Sequence, residues 1–98
     1  MHVHVAIFKW KTGTTTEQIN DALVLVKQVR SRVPDIVDIL CGENTSKWGQ
    51  GFSHAVVVLG RTEEAIAAYR ADEVHKEAAR VIDAMELDGI GVDFIDFE

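Results

Sequence analysis

Residues 55–59 read AVVVL, and residues 5–8 read VAIF. Every position in the two stretches is apolar. A β-strand points successive side chains to opposite faces of its sheet, so a strand that is apolar throughout has no side suited to water. Such strands lie in the middle of a sheet, where both faces are covered. These two stretches therefore predict the two central strands of one sheet.

The residues around these stretches predict the other elements. Runs rich in β-branched and aromatic residues predict four strands, over residues 3–10, 36–41, 52–59 and 89–97. Thr14 and Glu17 have the spacing of a capping box, which predicts the start of a helix that ends at Pro34. Thr62 and Asp72 predict the starts of two later helical segments, each followed by apolar residues at helical intervals.

The order strand, helix, strand, strand, helix pair, strand predicts an α+β fold. It is the βαββαβ order of a ferredoxin-like fold, with a four-stranded antiparallel sheet and its helices on one face. Asp38 and Asp93 interrupt the second and fourth strands, which places these two strands at the edges. The helices of one such chain cover a single face, so the apolar side chains of the other face need a partner. We therefore expect a homodimer that pairs through its sheet faces.

Length and charge exclude several classes of protein. A chain of 98 residues forms one domain, which we place at residues 1–98. The 10 Lys and Arg residues against 16 Asp and Glu give a net charge of −6, the wrong sign for nucleic acid or an anionic membrane surface. No apolar run reaches the length of a membrane span, and residues 1–4 do not resemble a signal peptide. We expect a cytoplasmic protein with neither nucleic acid nor membrane as a partner.

Histidines are the most suggestive polar residues. His2 and His4 share one side of the first strand, His54 begins the third strand, and His75 begins the apolar stripe of the last helix. Imidazole titrates near neutral pH and serves as a base, an acid or a metal ligand. For any one of them taken alone, or for Tyr69 on its own helical stripe, a packed side chain bonded to a carbonyl is the simplest interpretation.

Metal and cofactor sites are not predicted. The His2-Val3-His4 spacing supplies two ligands on one side of a strand, but a metal site needs at least a third. Cys41 is the single cysteine and is expected to fill space in the second strand, because no neighbouring cation is evident to lower its pKa. The glycines at 42, 49 and 51 precede a strand and not a helix, unlike those of a phosphate-binding loop.

Several residues together resemble one protein family. They are His4 in the opening strand, VPDI at 33–36, Gly42, GFSH at 51–54, Tyr69, His75 and VDF at 92–94. The order and spacing of these residues resemble those of the stress-responsive A/B barrel (Dabb) family. The resemblance covers nearly the whole length of the chain. The resemblance implies a homodimeric α+β barrel, closed by two sheets, with the helices outside.

The resemblance also implies a catalytic site between the sheet and the helices. The family includes polyketide cyclases of the olivetolic acid cyclase type, which use no cofactor and close a linear polyketide by aldol condensation. Similarity to them implies that His75 removes a proton next to a carbonyl and that Tyr69 hydrogen-bonds the oxygen that becomes negative. His4 and His54 would then hold the substrate. The implied activity is that of a cyclase-like lyase or isomerase acting on a small carbonyl compound.

Other interpretations stay open from the sequence. A non-catalytic, stress-responsive homodimer that binds a small apolar ligand or serves a structural role is one, and a cofactor-free oxygenase or isomerase is another. Many relatives have a second histidine and a proline between the positions of Tyr69 and His75, which are absent here. Asp72 and Glu73 instead place negative charge beside His75, which we expect to raise its pKa. The strand register, and with it the separation of His4 from His54, is not determined by the sequence.

Overall fold

The computed structural model describes residues 1–97, whose order of elements is that of the predicted ferredoxin-like fold. The strands are β1 (His2–Trp10), β2 (Ile36–Glu43), β3 (His54–Gly60) and β4 (Glu86–Ile95). The helices are α1 (Thr16–Gln28), α2 (Glu63–Ala71) and α3 (Glu73–Met85), with a short 3-10 turn at Val29–Ser31. The predicted domain extends to Glu98, which lies outside the described residues, and its single-domain organisation stays a prediction.

The strands form one antiparallel sheet in the order β2-β3-β1-β4. The two stretches that are apolar at every position, in β1 and β3, therefore lie in the middle as predicted. The strands that contain Asp38 and Asp93 lie at the two edges. In the β1–β4 pair, His4 lies opposite Asp93, and in the β1–β3 pair Phe8 lies opposite His54.

The helix starts follow local capping, with one correction. The cap of α1 is Thr15 and not Thr14: its hydroxyl accepts from the Gln18 N–H at 3.1 Å, and its own N–H donates to Gln18 Oε1 at 2.9 Å. Thr14–Glu17 and Thr15–Gln18 have the same spacing, so the pattern alone does not choose between them. Thr62 and Asp72 cap α2 and α3 as predicted.

Helices cover only one of the two faces of the sheet. The helices pack on one face, where the most deeply buried residues are Ala22, Val29, Ile39, Val58 and Ala78. We call the other surface the bare face. By strand alternation and register, its apolar residues are Val3, Val5, Ile7, Leu40, Ala55, Val57, Leu59, Ile90, Val92 and Phe94, and Gly42, Lys9, Asp38 and Asp88 lie at its margins.

The bare face is apolar and open to water at its margins. Its central residues, such as Val57, are half-buried, whereas Leu40, Ile90, Val92 and Phe94 are 46–50% exposed. None of the helices within residues 1–97 is long and apolar enough to cross a membrane. The cytoplasmic location stays a prediction.

Candidate functional site

A pocket of about 150 Å³ lies between the covered face of the sheet and helix α3. Its walls are mainly apolar, with Ala6 and Phe8 from β1 and Ile82 from α3. Polar side chains are gathered at one end, where His4, Tyr69 and His75 line it. A concave apolar site with a few convergent polar groups is the usual form of a small-molecule site.

Tyr69 and His75 meet because the chain changes direction between α2 and α3. Asp72 has extended backbone angles and its carboxylate caps α3, so the last turn of α2 and the first turn of α3 converge. The rings of Tyr69 and His75 are 4.5 Å apart between centroids, and that of His4 lies 6.0 Å from the tyrosine. Three residues that the sequence singled out are therefore adjacent.

Tyr69 is 2% exposed, although its side chain lines the pocket. Burial raises the pKa of its hydroxyl well above the usual 10, because the ionised form loses its contact with water. The tyrosine is therefore protonated across the physiological range. Its O–H group is a hydrogen-bond donor at the polar end of the pocket.

His75 has one nitrogen engaged with the backbone. Its Nδ1 lies 3.1 Å from the carbonyl oxygen of Arg70, which can only accept, so Nδ1 carries the proton of the neutral ring. The other nitrogen, Nε2, is then unprotonated and able to accept a proton. A neutral imidazole with one ring nitrogen held by a carbonyl is an oriented base.

The expectation that acidic neighbours raise the pKa of His75 is wrong. Burial is the main influence and lowers the pKa below its usual 6.5, the hydrogen bond to the Arg70 carbonyl partly opposes it, and the charges of His4 and Arg70 lower the pKa further. Asp72 acts in the opposite direction but is the weakest of the influences. Its carboxylate is held by the Arg32 guanidinium, with Nε 2.9 Å from Oδ1, and by the Val74 N–H at the same distance.

His4 belongs to an ion-pair network that the sequence did not reveal. Its Nδ1 lies 2.5 Å from Asp93 Oδ1, and Arg70 Nη2 donates to Asp93 Oδ2 at 2.6 Å. The hydrogen bond from His4, followed by that from Arg70, holds the pKa of Asp93 below its usual range. Asp93 and Arg70 are therefore additional site residues. The signal in the sequence was an aspartate at an alternate position of an otherwise apolar strand.

His54 lies outside this pocket. In the β1–β3 register, His4 is opposite Val58 and His54 is opposite Phe8. The separation is four residues, or about 13 Å along the strand. The Trp10 indole N–H donates to His54 Nδ1 at 3.0 Å, and burial lowers the pKa of this histidine.

Cys41 does not line the pocket, although its thiol adds to the rise in the pKa of Tyr69. Burial raises the pKa of the Cys41 thiol to about 11, so at neutral pH the side chain is an unreactive thiol. Within the described chain, no group of three or more His, Cys, Asp or Glu side chains is placed to hold a metal ion.

The family model for the stress-responsive A/B barrel domain matches residues 3–96. The chain belongs to this family. The resemblance carried by His4, Tyr69, His75 and the other quoted residues is therefore confirmed. No curated protein matches this Dabb chain.

Solved structures share the fold of this Dabb protein at low sequence identity. An Arabidopsis thaliana protein is 20% identical, with a TM-score of 0.87, and the match covers 100% of this chain and 97% of that one. A dimeric ferredoxin-like protein of Thermobifida fusca is 22% identical, with a TM-score of 0.83 and coverage of 95% and 88%. The hydroxynitrile lyase of Passiflora edulis is 14% identical, with a TM-score of 0.86 and coverage of 99% and 94%. These matches confirm the ferredoxin-like fold.

Proposed function

We propose that this protein binds a small carbonyl compound in the pocket and catalyses proton transfer at the carbon next to its carbonyl group. The observation that carries the proposal is the 4.5 Å separation of the Tyr69 and His75 rings at the polar end of an apolar pocket. A carbonyl-containing ligand would place its oxygen at this end and its hydrocarbon part among the apolar walls.

In the proposed step, His75 Nε2 accepts a proton from the carbon beside the carbonyl. The electron pair of the broken C–H bond moves into a C–C double bond, and the carbonyl oxygen becomes an enolate oxygen. Tyr69 donates a hydrogen bond to that oxygen, where the negative charge develops. If the proton on His75 exchanges with solvent before one returns to the carbon, the result is isotope exchange, and delivery to another carbon gives isomerisation. Attack of the carbanion on a second carbonyl would form a C–C bond and an alkoxide, which takes the proton from His75 and completes a cyclisation. The step balances without a cofactor.

His4 has a supporting role in this proposal. Asp93 holds its Nδ1, which leaves Nε2 as the ring nitrogen that would contact the ligand. Arg70 in turn fixes Asp93, so the orientation of His4 is set by two neighbours. His54 would contact only a ligand that extends to the Trp10 end of the sheet.

The Passiflora edulis neighbour shows that this fold can accommodate enzymes, because that protein is a hydroxynitrile lyase. At 14% identity, the similarity supports only the shape of the scaffold. The arrangement of His4, Tyr69 and His75 in this chain is the stronger support for a catalytic function.

Ethyl acetoacetate is a suitable probe, because it is small and neutral and has a carbon flanked by two carbonyls. In D₂O, we expect the protein to accelerate deuterium incorporation at that carbon, as followed by proton NMR. His75→Ala should reduce the catalysed rate by about a hundredfold, the usual contribution of a general base.

His2→Ala is the matched control, because His2 lies on the same strand as His4 but does not line this pocket. It should retain the full rate. Equal rates for the protein and His75→Ala would contradict the proposed base. Binding of the probe with no acceleration by the unmodified protein would favour the non-catalytic, ligand-binding alternative.

We also infer that two copies of the chain pair through the bare face. Ile90, Val92 and Phe94 are about half exposed there, alongside half-buried valines of the central strands. A continuous apolar sheet surface of this kind usually marks an interface. A second copy presents the same surface, so a two-fold pairing covers both at once. The Thermobifida fusca neighbour, which is a dimeric ferredoxin-like protein, supports this occupant.

A further inference from the structure

The pocket is closed on one side and open on the other. Toward α1 and β3 its walls are buried, with Val26, Val56 and Tyr69 each 2% exposed. Toward the edge of the sheet, Asp83 lines the pocket and is exposed to solvent. The opening therefore lies on the side of strand β4, which is exposed over nearly its whole length.

Beyond Glu86, which begins it and lines the pocket, strand β4 presents few side-chain atoms to this opening. On the covered face, Gly91 lies opposite Ala6 and Gly89 lies opposite Phe8, the two apolar residues of β1 that line the pocket. The next residue of β4 on that face is Asp93, opposite His4. The apolar part of the pocket is thus bordered by two glycines, and its polar end by the aspartate.

The backbone does not require glycine at position 91. The residue is not among the glycines with positive φ, which are Gly13 and Gly51. A Cβ built on Gly91 would approach only the Val5 carbonyl oxygen, at 4.0 Å, so a side chain has room. Glycine weakens a strand, and inside one it often marks the close approach of a ligand.

We propose that ligands enter the pocket between α3 and β4, over Gly91, and that the absence of a side chain at this position determines the size of the ligand admitted. The identity of the occupant as a small carbonyl compound rests on the function proposed above. The route rests on the shape of the pocket and the register of β4.

The charges at the opening disfavour anionic ligands. Glu86 and Asp83 line the pocket at the end away from His75, and the Glu86 carboxylate lies over Gly89, 2.7 Å from a Cβ built there. Arg70, the cation at the polar end, is already paired with Asp93. A carboxylate ligand would meet repulsion without a free cation to offset it.

The size of the pocket suggests the probes. An engineered apolar cavity of about 150 Å³ in another protein takes up benzene. Benzene therefore tests entry without any carbonyl chemistry, acetophenone adds a carbonyl, and benzoate replaces the acetyl group by a carboxylate with the same number of non-hydrogen atoms. Binding and exchange rates are measured by NMR on the pocket residues.

Gly91→Val should slow the association of benzene and acetophenone by about tenfold or more, because entry then requires a conformational change. Gly91→Ala should have a smaller effect. Ala84→Val is the control: it adds side-chain atoms at an exposed position of helix α3 that does not line the pocket. Should the Gly91→Val substitution disturb the edge strand, Ala79→Leu narrows the same opening from helix α3.

Unchanged benzene association in both Gly91→Val and Ala79→Leu would overturn the proposed route. Benzoate binding as tightly as acetophenone would overturn the exclusion of anions. A different result would contradict the proposed function. If acetophenone binds no better than benzene, the polar end does not recognise a carbonyl. Slower entry of benzene in Gly91→Val would still establish the route.

Discussion

The two faces of the sheet are built from alternate residues of the same strands, yet they differ in chemistry. In β1, His4, Ala6 and Phe8 point to the helices and line the pocket, whereas Val5 and Ile7 point to the bare face. The covered face thus combines apolar packing with titratable side chains. The centre of the bare face has only apolar side chains, and its charged residues, Lys9, Asp38 and Asp88, lie at the margins.

This difference indicates a division of roles. Polar groups on the covered face are held by neighbours on the helices, as the Tyr69–His75 contact and the Arg70–Asp93 ion pair show. The bare face has no helices to hold such groups, so its contribution is apolar area. We expect changes on one face to affect assembly and changes on the other to affect chemistry.

The largest expected effect is on assembly. Val92→Asp places a carboxylate in the bare face, where two copies would bury it without a partner. We expect the dissociation constant of the dimer to rise by about a hundredfold, because each interface would bury two such charges. Sedimentation velocity across a concentration series measures this change.

Val24→Asp is the matched control for Val92→Asp. Val24 is 56% exposed on helix α1, compared with 50% for Val92, so the two changes add the same charge at similar exposure. The control should leave the dimer intact. A monomer in the unmodified protein at micromolar concentration, or equal behaviour of the two variants, would contradict pairing through the bare face.

The division between the faces follows from local sequence. The central strands are recognisable because 5–8 and 55–59 are apolar at every position, and this property depends on no distant residue. The caps at Thr62 and Asp72 are similarly local. The cap of the first helix shows the limit of local sequence. Thr14–Glu17 and Thr15–Gln18 both fit the spacing of a capping box, and the structure has the cap at Thr15.

The site was only partly predictable, because its contacts join distant parts of the chain. His4 and Asp93 are 89 residues apart in sequence, and their contact depends on the register between β1 and β4. Register also separates His54 from His4 although both are near the starts of their strands. The pKa of His75 depends mainly on burial, which the neighbouring residues in the sequence do not reveal.

A smaller effect tests the network on the covered face. Asp93→Asn keeps the shape of the side chain but removes the charge that holds His4 Nδ1. We expect deuterium exchange of ethyl acetoacetate to slow by about tenfold, mainly through a higher KM, because His4 contacts the ligand and His75 is unchanged. The ¹⁵N chemical shifts of His4 should report a change of tautomer.

Asp96→Asn is the control for this effect, since it removes the same charge just beyond strand β4, at an exposed position that does not line the pocket. It should leave the rate and the His4 shifts unchanged, and both variants should remain dimeric. A loss of dimer in Asp93→Asn would show that the two faces are not independent.

The smallest expected effect is a shift of the pH profile. The proposed base is neutral His75, and burial lowers its pKa below 6.5, so the exchange rate should rise with pH to a plateau whose midpoint lies below that value. Tyr69 must stay protonated, and its raised pKa extends the plateau beyond pH 10. Glu73→Gln should leave the midpoint in place, because burial and not the acidic neighbours sets it. A midpoint above 6.5 that falls in Glu73→Gln would instead show that local charge dominates burial at this site.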